Sequence, residues 1–541
     1  MKANILQTSR FLTFLFLLAT FTASAANHYV RAGAGAGSKT GNDWANAYTN
    51  LPASLVRGDT YYVADGSYGS YTFDDARSGS TYIYIKKATA ADHGTSTGWD
   101  DSYGDGMAEF SAWDFDSPPG GNGGYYDVSG YSPTMPRQIG FKITTTWHQT
   151  SIDYTYWDTG HHPYCAWRYI EFAGPGGSGD YDSGSSPWLY AIYAHGNSGS
   201  YDTSHMLVSH CYMHGITTFF QDSTGNDYMT VEYSELCDSR EVGEDHGNIW
   251  WVASRYGTFR YNKVHNYNVE GLYFGGSTTG WEIYGNVFYD GVGVARGIEF
   301  RDPQTQSNMK IYNNTFVNLP VGSVRAMSGA ITSGIEIKNN VLVSASINLE
   351  NGGTGITQAN NLTTNTSFFV NYSSRDFRPA SNVTGSNLGT NWNTDPNGAT
   401  RTTWTVGAYE YGSEGGGGDD GGGGRGSDTK AEVSAVPDSR DFGSVAVGAT
   451  SDLSFTVQNT GGDTLTGKAT VSAPFSVISG GTYNLKAGQS QIVTVRYSPT
   501  AAGSYSQLVT LTGGNGTLVT VSGFAYTVLG PPSDLRLLTA Q

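Results

Sequence analysis

One phrase returns at nearly regular intervals between positions 208 and 343, and it limits the fold more than any other feature. Each copy is a short alternating run, a small polar pivot and a second short run. The pivots are Cys211, Ser234, Asn262, Asn286, Asn314 and Asn340, spaced 23, 28, 24, 28 and 26 residues apart. Val, Phe or Ile stands three residues before every pivot, and Met, Leu, Val or Phe two residues after it. Apolar columns at fixed offsets predict one core built by stacking repeats. The period is too short for a propeller blade, and no leucine-rich or paired-helix pattern occurs. A coil of three short strands and three bends fits, each coil stacking on the last at about 4.8 Å. The pivot asparagines are expected at a tight bend, adopting the left-handed conformation while their amides bond from coil to coil.

Composition agrees. Glycine supplies 73 of 541 residues and tyrosine 37, while charged residues are only 14%. That suits many short strands joined by turns and disfavours long helices. A net charge of −17 speaks against a general nucleic-acid binder.

Residues 1–25 read as a signal peptide. Lys2 and Arg10 precede an apolar run from Phe11 to Phe21, and Ala23, Ser24 and Ala25 form a small-residue cleavage pattern. A secreted or cell-surface protein with no membrane span is expected. The odd set Cys165, Cys211 and Cys237 leaves at least one free thiol, and burial between strands is expected for all three. Residues 412–430 are Gly-rich and predict a linker between a large region, 26–411, and a small one, 431–527, with a tail at 528–541.

The recurring Asn-Asn phrases, the opening from Tyr29 through Gly58 to Tyr68, and the end at Asp376 to Arg378 and Val406 to Tyr411 carry a resemblance. The chain resembles the right-handed parallel β-helix family, the fold of pectate lyases and related polysaccharide-active proteins. Phe442-Gly443, Asn459 to Gly461 and Tyr497 to Pro499 resemble immunoglobulin-like domains of the ASH/HYDIN type, common as appendages of secreted bacterial proteins. The expected fold class is therefore all-β: a right-handed parallel β-helix followed by a small antiparallel β-sandwich. The resemblance implies an extracellular polysaccharide as partner, with the protein a monomer. The lyases' catalytic motifs are not recognisable, so fold and substrate class are all it implies.

Alternation places candidate chemistry on the third strand of each coil. With Leu272, Phe274, Ile298 and Phe300 inward, Tyr273, Glu299 and Arg301 point outward, joined by Arg325 in the next coil. Trp250 or Trp251, Asp245 and His246 come from the coil before. Gly275 is expected to leave open space beside Arg301. Aromatic faces suit sugar rings, and charges suit hydroxyls or uronate carboxylates. A lyase needs a base for the proton α to the carboxylate, here His246 or Lys263. It also needs a cation, here Arg301 and Arg325, or Ca²⁺ on Asp245 and Asp302. A hydrolase needs two carboxylates, drawn from Glu299, Asp302 and Asp245. A glycan-binding or adhesive protein without turnover is the third reading. Glu299 with Arg301, Glu232 with Arg260 and Glu235 with Lys263 are the expected ion pairs between or within coils. His214, Cys237 and His265 share a further outward column, but His214 and His265 lie two rises apart, about 9.6 Å, too far for one metal.

Overall fold

The computed structural model describes residues 25–35, 37–116, 122–144, 150–153, 162–174, 189–194, 203–222, 225–239, 248–301, 303–350, 354–413, 431, 433–436, 439–459, 464–486, 489–513 and 518–527. No α-helix occurs among them, so none is long and apolar enough to cross a membrane. Residues 1–24 of the expected signal segment, most of the linker, and the tail lie outside the described residues.

Three parallel sheets of twelve, eleven and ten strands run the length of the N-terminal region. Each coil visits them in the same order. Thr258–Arg260 lies in the first sheet, Lys263–His265 in the second and Glu270–Phe274 in the third. This is a parallel β-helix. The apolar columns form its core: Val208, Val231, Phe259, Ile283, Ile311 and Ile337 are buried in register, as are Met213, Leu236, Val264, Phe288, Phe316 and Leu342. Phe288 and Phe316 stack at 5.1 Å between ring centroids.

The pivots line the bend between the first and second sheets. Asn262 Nδ2 donates to Asn286 Oδ1 at 3.2 Å, Asn286 to Asn314 at 2.9 Å, and Asn314 to Asn340 at 3.1 Å. Asn361 extends the ladder by one more coil. One expectation is corrected. The left-handed residue is the one before each pivot: His210, Tyr233, Tyr261, Gly285, Asn313 and Asn339 all have φ between 48° and 68°. The pivot amide points inward to satisfy backbone groups, so the preceding side chain points outward. There Tyr169, His210, Tyr233 and Tyr261 stack ring on ring at 4.7 to 5.0 Å. Gly285 ends that stack because a Cβ there would meet the Tyr261 ring at 2.6 Å.

Two additions shape the outside of the second sheet. A short insertion containing Pro136–Gln138 lies near its early coils. Over its last coils, Phe368, Phe369, Phe377, Val406 and Ala408 cover Val287, Tyr289, Val317, Val341 and Val343. Between these two additions His214, Glu235 and His265 keep 27%, 19% and 20% of their side chains exposed.

The C-terminal region forms a four-stranded and a five-stranded sheet around Phe455, Val493, Tyr497 and Val519. Its pairs are antiparallel except Ser439–Ala446 with Leu518–Tyr526. Cys165, Cys211 and Cys237 are all buried, and no disulfide joins them.

Candidate functional site

The third sheet aligns Gln221, Trp251, Tyr273, Glu299, Arg325 and Asn348 in one outward column. Trp250 is the inward member of its pair. It is fully buried, and its indole N–H donates to Asp222 Oδ2 at 2.9 Å, so it takes no part in this face. Burial pushes Asp222 up to about 6 despite the hydrogen bonds it accepts from Ser254, Ala253 and Trp250.

Glu299 points outward as alternation requires, yet its side chain is only 2% exposed. Arg296 Nε and Arg325 Nη1 hold its Oε2 at 2.5 and 2.9 Å. Arg296 also pairs with Glu270, and Arg325 with Glu350 at 2.8 Å. The expected Glu299–Arg301 pair does not form, because Arg296 and Arg325 already occupy the carboxylate. Arg301 is exposed and lies 5.9 Å above the Tyr273 ring. The space expected beside Gly275 is filled: a Cβ there would meet the Trp251 ring nitrogen at 2.5 Å. Trp251 thus lies flat against the glycine next to Tyr273.

The second sheet carries a different set. Its outward positions form two columns, Lys142–Glu171–Tyr212–Glu235–Lys263 and Thr144–Ala173–His214–Cys237–His265. Five strands span about 19 Å at the usual inter-strand spacing. His214 Nε2 lies 3.1 Å from Glu171 Oε1, and Lys142 Nζ 3.4 Å from the same oxygen. His265 Nε2 lies 3.1 Å from Glu235 Oε1. Arg137, from the insertion, donates to Glu235 Oε2 at 2.9 Å and stacks over Tyr212 at 3.9 Å. Glu235 is therefore claimed by Arg137 and His265 beside its register neighbour Lys263, whereas Glu232 pairs with Arg260 as expected. Lys142, Glu171, His214, Glu235, His265 and Arg137 are all half-buried and reach solvent.

Burial pushes Glu171 up, but His214 and Lys142 more than offset it, so its carboxyl lies below the ordinary range. The same balance, with His265 and Arg137, depresses Glu235. Burial raises the Tyr212 hydroxyl well above 10, which keeps it protonated.

Among the described residues one group has metal-ligating composition and spacing: Glu235, Cys237 and His265, with ligand atoms all within 4.8 Å of one another. The sequence column held Cys237 and His265 but missed Glu235, which lies on the diagonal. His246, Asp245 and Asp302, and with them the Ca²⁺ reading, lie outside the described residues. Arg137, Lys142, Glu171 and Tyr212 escaped the sequence reading. Tyr212 and His214 stand one and three residues after the pivot Cys211, offsets that mark every outward position of this sheet.

Residues 431–523 match the HYDIN/CFA65/VesB-like, Ig-like domain family. A search of curated proteins finds no match. Among solved structures, an ASH/PapD-like domain of human CEP192 is similar at 18% identity, covering 19% of this chain and 89% of that one, with a TM-score of 0.16. A PL6 family polysaccharide lyase from Pseudopedobacter saltans is similar at 12% identity over 65% of this chain and 95% of its own, TM-score 0.34. A GH136 lacto-N-biosidase from Eubacterium ramulus is similar at 10% identity over 63% and 68%, TM-score 0.35. The C-terminal segment is an Ig-like domain of the HYDIN/CFA65/VesB type, carried behind a parallel β-helix.

Proposed function

We propose that this is a secreted polysaccharide-processing protein that cleaves a uronate-containing glycan by β-elimination on the outer face of the second sheet. The observation that carries the reading is the His214–Glu171 pair beside Tyr212, flanked by the cations Lys142 and Arg137 on one accessible face. β-Elimination needs a base for the proton α to the carboxylate, an acid for the leaving oxygen, and positive charge near the carboxylate. His214, oriented by Glu171, is suited to the base. Tyr212 keeps its proton and is suited to the acid. Lys142 and Arg137 meet the carboxylate, and Lys263 extends the positive edge along the chain direction. A hydrolase would need one carboxyl kept protonated near neutral pH. Glu171 and Glu235 are held ionised by their partners, which favours the lyase.

The outward Trp251 and Tyr273 with exposed Arg301 favour a second role for the third sheet, holding sugar rings without turnover.

The test is to incubate the purified protein with a panel of polysaccharides. Absorbance of unsaturated uronate and reducing ends are recorded together. Growth of both supports the lyase. Reducing ends alone mean a hydrolase. Neither, with retention on a glycan gel, leaves a binding protein.

A further inference from the structure

We propose that Glu235, Cys237 and His265 bind one thiophilic divalent cation of the Zn²⁺ class on the outer face of the second sheet. Two ligands come from the strand Glu235–Cys237, and the third from its neighbour Lys263–His265, where Cys237 and His265 are register partners. The proposal does not rest on the glycan reading of this face.

Glu235 Oε1 and His265 Nε2 are 3.1 Å apart. Two ligands bonded at about 2.0–2.1 Å to a tetrahedral ion stand roughly 3.3 Å apart. An ion can therefore replace the proton these atoms share with almost no movement. The other carboxylate oxygen is already anchored, since Glu235 Oε2 accepts from Arg137 Nε and Nη2 at 3.1 and 2.9 Å. Such a second hydrogen bond orients a ligating carboxylate. The His265 ring is fixed by stacking on Tyr289 at 4.5 Å.

The thiol completes the set. All three ligand atoms fall within 4.8 Å, so Cys237 has to close by about 1 Å to reach a bond of about 2.3 Å. On binding, the S–H bond breaks, the proton passes to solvent, and the sulfur lone pair goes to the metal. Thiolate and imidazole select Zn²⁺ over Ca²⁺ or Mg²⁺, which prefer oxygen ligands. Three protein ligands leave a fourth position. Glu235 and His265 are 19% and 20% exposed, so two of the three ligands border solvent.

The full chain, reduced and stripped of metal, is titrated with Co²⁺ and then Zn²⁺. One Co²⁺ per chain with a thiolate-to-cobalt charge-transfer band, displaced by Zn²⁺, is expected. Cys237→Ser and His265→Ala should each abolish the band and weaken Zn²⁺ binding at least tenfold by calorimetry. His214→Ala should keep both. Should the two ligand variants fail to fold, X-ray absorption of Zn²⁺ on the unaltered chain must show one sulfur at about 2.3 Å. No band, a band that survives Cys237→Ser, or a shell of nitrogen and oxygen alone overturns the proposal.

Discussion

His214 Nε2 lies 3.1 Å from Oε1 of Glu171, a residue on the preceding coil and in the neighbouring outward column. His265 and Glu235 repeat the same diagonal. The relationship follows from the register. Ala173, the small residue in line with His214, leaves room for the imidazole to lean across to the glutamate.

Glu171→Gln should therefore lower turnover on a uronate polysaccharide roughly tenfold to a hundredfold, part of the ~10²–10⁴ a positioned base supplies. The effect should fall on kcat more than on KM. Stability gives an independent reading. The folded carboxyl is depressed, so its contribution is present above the unfolded pKa of about 4.3 and is lost as pH falls through the lower folded value. The gap in urea midpoint between the native protein and Glu171→Gln should narrow progressively as pH falls below about 4.3. A gap that acidification leaves unchanged would assign Glu171 a packing role instead.

Glu270 behaves in the opposite sense. Burial pushes it up to about 7, partly countered by Arg296 and reinforced by Glu299. A raised carboxyl binds its proton more tightly in the folded state, so stability declines as pH rises from about 4.3 to 7 and is flat above. Relative to Glu270→Gln, the native protein should lose stability across that window, with a slope of up to about 1.4 kcal/mol per pH unit. Parallel stability curves for the two proteins would refute the assignment.

Asn314 is fully buried. Its Oδ1 accepts from the Asn286 backbone and side-chain amides at 3.0 and 2.9 Å, and its Nδ2 donates to Ile283 O at 2.9 Å. Asn314→Ala removes these bonds, although Asn286 Nδ2 still donates to Phe259 O at 2.8 Å, and should cost about 3 kcal/mol, since each unsatisfied buried group costs roughly 1–3. Chemical denaturation monitored by tryptophan fluorescence measures it. A loss below about 1 kcal/mol would mean that water replaces the ladder.

The coils from 208 onward were legible because three signals coincide there: the polar pivot and the two apolar columns. Earlier coils keep the columns but not the pivot. Trp167 and Phe172 are fully buried in the expected places, but Ile170 stands where the pivot would be. Long excursions also stretch the interval, with Trp167 and Val208 register partners across 41 residues. The outward face was only half legible. Alternation correctly turned Glu299 and Tyr273 outward, but it cannot tell which cation a carboxylate meets, and Arg296, three residues away at the edge of its strand, displaced Arg301. Arg137 lies in an insertion without periodicity, so nothing in its sequence neighbourhood announces that it reaches Glu235 across several coils.

The third-sheet face supplies the last prediction. Trp251 rests on Gly275, Tyr273 is its register partner in the next coil, and Arg301 reaches back over Tyr273. No described residue forms an ion pair with Arg301, and an exposed charge contributes little to folding. Arg301→Ala should leave the melting temperature within about 1 °C of the native value. A hydrogen bond to a charged group is worth about 1.5–3 kcal/mol, so glycan affinity should fall roughly tenfold to a hundredfold if this face holds sugar. Gly275→Ala tests the aromatic half of the same surface. Its methyl would overlap the Trp251 indole, which must swing away from the sheet, so affinity should fall even though no polar group is lost. Affinity electrophoresis in polysaccharide gels reads both variants side by side. Unchanged mobility for both, with folding intact, would remove the third sheet from glycan recognition and leave the outer face of the second sheet as the surface to test.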